Sequence, residues 1–143
     1  MSDSWAIDHV AIVVGDLDAA LQLYTRTLGF SVVYRETIAD QGVEAVGLAA
    51  GDAIVELLRP LQSDSAVARY RGNAPMKLHH TAYRVENLES ALADLKSKGI
   101  RLIDEHPRSG AHGNRIAFLH PKSTGGVLIE LCERIAVPTS ASN

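Results

Sequence analysis

One segment near the start of the chain recurs in its second half, and this duplication constrains the fold more than any other feature of the sequence. Residues 7–14 (IDHVAIVV) and 77–85 (KLHHTAYRV) both have the alternation of a strand, and His9 in the first matches His80 in the second. The same shift carries Ala11 to Ala82, Val14 to Val85, Leu17 to Leu88, Ala20 to Ala91 and Leu21 to Leu92. Two copies of one supersecondary unit, rather than a short-period solenoid, explain this spacing.

Farther along the chain, the offset between matched residues changes by only a few positions. Gly29 matches Gly99 after a slip of one residue, and Glu56 in VELL matches Glu130 in IELC after a slip of three. Differences in loop length account for such slips. Because a duplicated unit places equivalent side chains around a pseudo-two-fold axis, two histidines and two glutamates can meet at one point.

The first copy predicts a strand, a helix and three further strands. After the first strand, Asp16 can cap a helix that stops at Gly29. The predicted apolar face of this helix consists of Leu17, Ala20, Leu21, Tyr24 and Leu28. The following strands are predicted at 31–38, 43–49 and 53–59, with turn residues between them.

The second copy repeats this order after a short predicted helix at 63–71 and a linker at 72–75. Asn87 can cap its helix, which stops at Gly99. Its strands are predicted at 78–85, 101–104, 115–119 and 126–131. The loops 105–114 and 120–126 are long and rich in polar residues, and such loops often supply ligand contacts.

The duplication predicts an α+β fold in which two tandem βαβββ modules form one curved, cup-like mixed sheet. We expect a single domain over residues 5–133. It divides into module one at 5–62, a linker helix at 63–76 and module two at 77–133. The small and polar residues 134–143 predict a flexible tail.

Composition narrows the classes of function. The chain has 143 residues, 46% of them hydrophobic, which suits one globular domain with a sizeable core. Its net charge of -3 argues against a nucleic-acid partner. It has no apolar run of about 18 residues for a membrane span and no signal-peptide pattern at its start, so we expect a cytoplasmic protein. Cys132 is the only cysteine, which excludes an intrachain disulfide.

The matched histidines and glutamates are the residues best placed for chemistry. Neighbouring residues on a strand point to opposite faces, and the repeat selects His80 rather than His79. Glu56 and Glu130 each lie among apolar strand residues, where a carboxylate is costly to bury unless it is paired or binds a metal. Taken singly, each of these residues could have an ordinary core or surface role. The set of His9, Glu56, His80 and Glu130 predicts a site for a divalent ion such as cobalt, manganese, nickel or zinc.

Several segments together resemble the vicinal oxygen chelate superfamily, which includes glyoxalases, bleomycin-resistance proteins and dioxygenases. They are IDHVAIVV, DLDAALQLYTRTLGF, IVELLRPL, LHHTAYRVENLESAL and GNRIAFLHPKSTGGVLIEL. The resemblance extends over residues 5–133. Within the superfamily, the ending HPKSTGGVLIEL is similar to that of the methylmalonyl-CoA epimerase family, whereas glyoxalase I and many dioxygenases tend to carry an Asp-Pro-Asp/Gly pattern there.

This resemblance implies a metal-dependent isomerase that interconverts the 2R and 2S forms of methylmalonyl-CoA. The reaction would remove and return the α-proton through an enolate that the metal, most often cobalt, stabilises. The implied ligands are His9, Glu56, His80 and Glu130. The resemblance also implies a homodimer that binds a small acyl-CoA.

Inversion at the α-carbon needs acid–base groups on both faces of the planar intermediate. The resemblance implies Glu130 as one base and Glu44, which follows the turn Gln41-Gly42-Val43, as the other. Glu44 could instead be a solvated strand residue. On the two long loops, Asn114, Arg115, Lys122 and Ser123 are candidates for contacts with the acyl carboxylate or the coenzyme A phosphates. His106, His112 and His120 have no partners in the repeat, and we assign them no metal.

Three other functions are compatible with the same fold. One is a glyoxalase-type isomerase, or lactoylglutathione lyase, acting on a glutathione adduct. Another is a ring-opening dioxygenase, which is disfavoured because its facial triad uses one carboxylate where this chain offers two. The third is a non-enzymatic small-molecule binding module, against which the four ligand-type residues argue.

Overall fold

The computed structural model of the protein describes residues 5–135. Its strands are β1 (Ala6–Val14), β2 (Ser31–Ile38), β3 (Val43–Ala50), β4 (Ala53–Pro60), β5 (Met76–Arg84), β6 (Arg108–Ser109), β7 (Arg115–Leu119) and β8 (Ile129–Glu133). Its α-helices are α1 (Leu17–Leu21), α2 (Ala66–Arg71) and α3 (Leu88–Ser97), and α1 continues in a π-helical segment over Gln22–Thr27. Short 3₁₀ turns lie at Ala39–Gln41, Ala111–Gly113 and Pro121–Ser123.

The strands form one eight-stranded sheet in the order β2-β3-β4-β1-β5-β8-β7-β6. At its centre β1 and β5 pair antiparallel, while β1 pairs parallel with β4 and β5 parallel with β8. Each half of the sheet therefore repeats the other about the central pair. The sheet also curls, because the turn Ala111–Gly113 next to one edge contacts β2 at the other. These features confirm the predicted α+β class with two βαβββ modules in a curved mixed sheet.

Helices α1 and α3 cover one face of the sheet, whereas Val67 of α2 packs against the opposite face, which holds the site. On the helical face, α1 packs on Val46, Leu48 and Leu57, and α3 packs on a matching cluster around Leu131. The opposite, concave face has its own buried apolar floor, made of Ala11, Ile38, Val43, Ala45 and Leu58. The central strands are therefore buried on both faces.

Both main helices begin at the residues that the sequence predicted. The Asp16 side chain accepts a hydrogen bond from the amide of Ala19, and the Asn87 side chain accepts one from the amide of Ser90. The first helix differs in its second half, where the winding becomes π-helical. Leu28 at its end is 51% exposed instead of lying on the buried face. The linker helix is also shorter than predicted, since its cap is Ser65.

Two strand predictions in module two are wrong. Residues 101–104 form no strand, and only Leu102 makes an isolated bridge, to Leu119. The amides of Ile103 and Asp104 both donate to the carbonyl of Phe118, but the amide of Phe118 donates to the Asp104 side chain instead of to a backbone carbonyl, which interrupts the ladder. The edge strand is instead the two-residue β6, inside a predicted loop. The last strand begins at Ile129 rather than at 126, because Gly125 and Gly126 adopt left-handed conformations in the preceding turn.

The limits of the domain and its modules stay predictions. Most of the predicted flexible tail, residues 136–143, lies outside the part of the chain that the structure describes. Within residues 5–135, no helix is both long and apolar enough to cross a bilayer.

Gly47 allows an aromatic side chain to lie flat on the concave face. A Cβ atom at this position would be 2.1 Å from Cε2 of Tyr34. We therefore expect Gly47→Ala to lower the free energy of unfolding by about 1–3 kcal/mol, because the ring has to move. Urea denaturation measures this loss. In a Tyr34→Ala background the same substitution should cost much less, and an equal cost in both backgrounds would contradict the proposed clash.

Candidate metal centre and active site

Four buried side chains from the four central strands converge on the concave face. β1 supplies His9, β4 supplies Glu56, β5 supplies His80 and β8 supplies Glu130. The Nε2 atom of His9 is 3.1 Å from Nε2 of His80 and 3.2 Å from Oε1 of Glu130. It is 3.7 Å from Oε1 of Glu56, and His80 Nε2 is 3.4 Å from Oε2 of Glu130. The structure thus brings together the four residues that the repeat matched, while their role as ligands stays a prediction.

The cluster has the donors and spacing that a metal ion requires. One ligand atom each from His9, Glu56 and His80 lie within 4.8 Å of one another. The Oε1 atom of Glu130 is buried and has no well-aligned hydrogen-bond donor among residues 5–135. Imidazole and carboxylate donors together suit first-row divalent ions. The residues present therefore fit a divalent cation.

Each histidine of the cluster is held by the residue that precedes it. His9 Nδ1 is 2.7 Å from Oδ2 of Asp8, and His80 Nδ1 is 2.8 Å from Nδ1 of His79. Asp8 and His79 occupy equivalent positions of the repeat, and both are skipped in the β1–β5 pairing. At these bulges the strict alternation of side chains along a strand is interrupted. His79, which alternation alone would direct away from the site, therefore contacts His80. Such outer contacts set the orientation of ligand rings and leave each Nε2 directed at the centre.

Further contacts extend this support outward. The carboxylate of Asp8 accepts a hydrogen bond from Arg134 Nε at 2.7 Å, and Arg84 Nε lies 3.4 Å from the same oxygen. The hydroxyl of Tyr34 donates to Oε2 of Glu56 at 2.6 Å. Sequence reasoning missed Asp8 and Tyr34. A carboxylate directly before a matched histidine was a usable signal for Asp8, whereas nothing local marks Tyr34.

The two histidines have opposite electrostatic environments. Burial alone would lower the pKa of His9, but its hydrogen bond to Asp8 and the nearby carboxylates of Glu130 and Glu56 raise it to about 10. Burial, followed by the charges of His9 and His79, moves the pKa of His80 well below its usual value. Burial also raises the pKa of Glu130. The carboxylates therefore attract positive charge to the centre, and His80 keeps a free lone pair.

The cluster opens into a cavity of about 580 Å³. Much of its wall is apolar, with Ile7, Val33, Ile38, Ile54 and Ile116 among the lining residues. The polar groups that line it include Gln41, Asn114 and His112, and its cations are Arg84 and Arg134. A volume of this size is typical of sites for small molecules.

Of the four loop residues predicted to contact substrate, only Asn114 lines the cavity. Arg115 lies away from the cavity, and its guanidinium pairs with Glu89 at 2.7 Å and Glu133 at 3.3 Å. The neighbouring Ile116 faces the cavity, and strand alternation turns Arg115 to the helical face.

Lys122 and Ser123 lie in the turn after β7 and are absent from the cavity wall that the described residues form. The Ser123 hydroxyl accepts a hydrogen bond from the amide of Arg101, which fixes it in the turn. The structure therefore does not support a substrate contact for either residue.

The structure does not place Glu44, the predicted second base, with the cluster. In the pairing of β3 with β4, Gly47 lies opposite Glu56, and alternation then places Glu44 on the other face of the sheet. There its carboxylate accepts hydrogen bonds from Arg35 at 2.7 Å and Arg59 at 3.0 Å. The alternative reading, a strand glutamate outside the site, is the one that the structure supports.

The Asp8 carboxylate should tune the affinity of the centre for metal. We expect Asp8→Asn to weaken cobalt(II) binding about 10–100-fold. A neutral amide makes the His9 ring a less basic metal ligand and holds its orientation less firmly. Isothermal titration calorimetry measures the affinity. Asp52→Asn is the matched control, since Asp52 lines the same cavity but its side chain lies outside the cluster. Equal affinities for wild type and Asp8→Asn, or equal losses in both variants, would contradict this role.

Comparisons with known proteins agree with this geometry. A sequence profile of the Glyoxalase/Bleomycin resistance protein/Dioxygenase superfamily matches residues 8–118. The mitochondrial methylmalonyl-CoA epimerase of Homo sapiens is 41% identical over 126 residues, which are 87% of this chain and 72% of that protein. The ethylmalonyl-CoA/methylmalonyl-CoA epimerase of Cereibacter sphaeroides is 39% identical over 87% of this chain and 95% of its own length.

Solved structures give the same result. The crystal structure of methylmalonyl-CoA epimerase from Mycobacterium tuberculosis superposes with a TM-score of 0.86 at 38% identity, covering 96% of this chain and 91% of that one. A methylmalonyl-CoA epimerase in complex with methylmalonyl-CoA and NH4+ has a TM-score of 0.86 at 38% identity, covering 92% and 95%. This chain therefore belongs to the methylmalonyl-CoA epimerase family, within the glyoxalase, bleomycin-resistance protein and dioxygenase superfamily.

Proposed function

We propose that this protein is an isomerase that interconverts the 2R and 2S forms of methylmalonyl-CoA. The observation that carries the proposal is the buried cluster of His9, Glu56, His80 and Glu130, three of which, all except His80, line the cavity. The proposal is also supported by relatives with this name at about 40% identity over most of the chain. The reaction removes the proton between the carboxylate and the thioester and returns it on the other face.

The four residues of the cluster hold a divalent cation in this proposal, with cobalt first and manganese, nickel or zinc as alternatives. When bound, such an ion supplies Lewis-acid stabilisation of negative charge on substrate oxygens. The protein supplies the orientation of the donors, through Asp8 on His9 and Tyr34 on Glu56. Loss of either contact would leave a buried donor free to turn.

Glu130 is the proposed base for one face of the substrate. Its Oε1 atom is buried at the cavity and free of a well-aligned donor among residues 5–135, so it can accept a proton from carbon. The strand β8 lies between β5 and β7, which fixes the position of this carboxylate at the cavity. Proton removal by a positioned side chain contributes about 10²–10⁴-fold to a rate.

The remainder of the cavity suits an acid with a short branched acyl group. Apolar residues such as Val33 and Ile54 offer surface for a methyl group, and Asn114 offers an amide to the carboxylate. Arg84 and Arg134 are the cations that line the cavity, and they take the place of Arg115 in the predicted recognition of carboxylate or phosphate. A homodimer and a cytoplasmic location complete the proposal as inferences from the sequence.

Deuterium exchange tests the reaction directly. In heavy water we expect the metal-loaded protein to introduce one deuterium into methylmalonyl-CoA well above the rate without protein, as measured by mass spectrometry. A chelator should abolish this uptake, and cobalt or manganese should restore it, because the cation stabilises the charge that forms on proton loss. Exchange at the background rate with metal bound would overturn the epimerase proposal. Turnover of a glutathione hemithioacetal would then support the glyoxalase alternative. A purified protein that binds no metal and turns over neither substrate would support a binding module.

A matched pair of substitutions separates the two glutamates. We expect Glu130→Gln to lower the exchange rate at least about 100-fold, since the amide cannot accept the proton. Glu44→Gln should retain the wild-type rate, because Glu44 lies on the other face with Arg35 and Arg59. Initial rates of deuterium uptake provide the comparison. A large loss in Glu44→Gln with normal metal content would restore Glu44 as a base.

A further inference from the structure

Inversion requires a second acid–base group, and the cavity wall offers few candidates for it. Its titratable residues are Asp8, His9, Tyr34, Asp52, Glu56, His112, Glu130 and Cys132, besides the two arginines. Asp8, His9, Glu56 and Glu130 belong to the cluster or its support, and Tyr34 donates its hydroxyl to Glu56. Burial keeps the thiol of Cys132 protonated by raising its pKa. Only Asp52 and His112 remain.

His112 is the better placed of these two. Its ring stacks on the ring of Tyr34, with centroids 5.1 Å apart and an interplanar angle of 22°. Tyr34 in turn contacts Glu56, so His112 lies one side chain away from the cluster. Asp52 lies in the turn between β3 and β4 and contacts Arg84 only through its backbone carbonyl. Imidazole is also the side chain that accepts and donates protons most readily near neutral pH.

His112 and Glu130 line the same cavity, and His112 reaches the cluster from the Glu56 side. The central strands run in the order β4, β1, β5, β8, and the Glu56 and Glu130 strands therefore flank the two histidine strands. His112 approaches the cluster from the Glu56 side, through Tyr34 on β2. A substrate between these flanks would face Glu130 on one side and His112 on the other.

The turn that carries His112 is built to hold this side chain at the cavity. Its φ of 60° is left-handed, and it is the only such residue other than glycine within residues 5–135. Its amide donates to the carboxylate of Glu36 on β2, and Ala111 packs against the apolar floor of the concave face. Gly110 lies so close to Ile116 that a Cβ would be 2.6 Å from its Cγ2 atom. A strained backbone that is fixed at three points is typical of a functional residue.

We propose that His112 is the second catalytic residue of the epimerisation and acts on the face of the α-carbon opposite to Glu130. In one direction, the C–H bond breaks and its proton passes to Glu130, while an imidazolium N–H of His112 breaks and its proton forms the new C–H bond. Glu130 ends protonated and His112 neutral. The reverse direction exchanges these roles, and proton exchange with solvent restores the starting state. This inference rests on the proposed function.

The test follows inversion and exchange separately in His112→Asn, since asparagine also tolerates a left-handed backbone. Each pure epimer of methylmalonyl-CoA is incubated in heavy water with metal-loaded protein. We expect inversion to fall about 100-fold or more. The epimer whose proton faces Glu130 should still exchange it with retention of configuration, and the other epimer should exchange no faster than background.

The control is His106→Asn, the same change at a histidine outside the cavity wall, which should invert both epimers at the wild-type rate. Cobalt titration and urea unfolding of His112→Asn establish that the site and fold remain intact. Wild-type inversion by His112→Asn would overturn the inference, and so would equal loss of exchange from both epimers in a folded, metal-binding variant. A wild-type protein that exchanges neither epimer would instead overturn the proposed function and this inference together.

Discussion

The antiparallel pairing of β1 with β5 is the constraint on which the site depends. It joins the two copies of the repeat edge to edge in one sheet, and it brings Nε2 of His9 within 3.1 Å of Nε2 of His80. The parallel strands β4 and β8 then add Glu56 and Glu130 on either side. Four ionisable groups are thereby buried in the middle of the sheet, where unpaired charge is costly. A ligand of positive charge offsets this cost, and the helices on the other face keep the strands in place.

The fold is symmetric, but its electrostatics are not. Asp8 and His79 occupy equivalent bulges, and one supplies a carboxylate to its histidine where the other supplies an imidazole. His9 is consequently drawn towards the protonated form and His80 towards the neutral form. The cavity is asymmetric as well, because Tyr34 of module one stacks on His112 of module two.

The duplication allowed much of this arrangement to be predicted. The strands at 31–38 and 115–119 and the caps Asp16 and Asn87 agree with the structure, because each depends on a local pattern. The four cluster residues could be paired from the repeat alone. The prediction for Glu44 depended on the register of β3, because a shift of one residue turns a strand side chain to the opposite face. The turn motif before β3 does not determine that register, and in the structure Glu44 faces away from the cluster.

Tyr34 and His112 could not be found from sequence, because their contact depends on the curl of the whole sheet. They lie on elements at opposite edges and meet only when the curl brings those edges together. No periodicity encodes such a contact. Gly47 was the nearest signal, since a missing side chain beside Glu56 leaves room for the Tyr34 ring.

Proton and metal compete for the same centre, and this competition links stability to function. The pKa of His9 is about 10 in the folded protein and about 6.5 in an unfolded chain. Its contribution to stability is therefore complete below pH 6.5 and is lost as the pH rises through about 10. His80 has the opposite sign: its lowered pKa means that the unfolded chain gains a proton below pH 6.5 that the folded centre rejects. A divalent cation held by His9 would compete with the proton of that ring, so metal affinity would rise with pH and bound metal would stabilise the fold by mass action. The ion that the proposed chemistry requires would thus also neutralise the charges of the buried cluster.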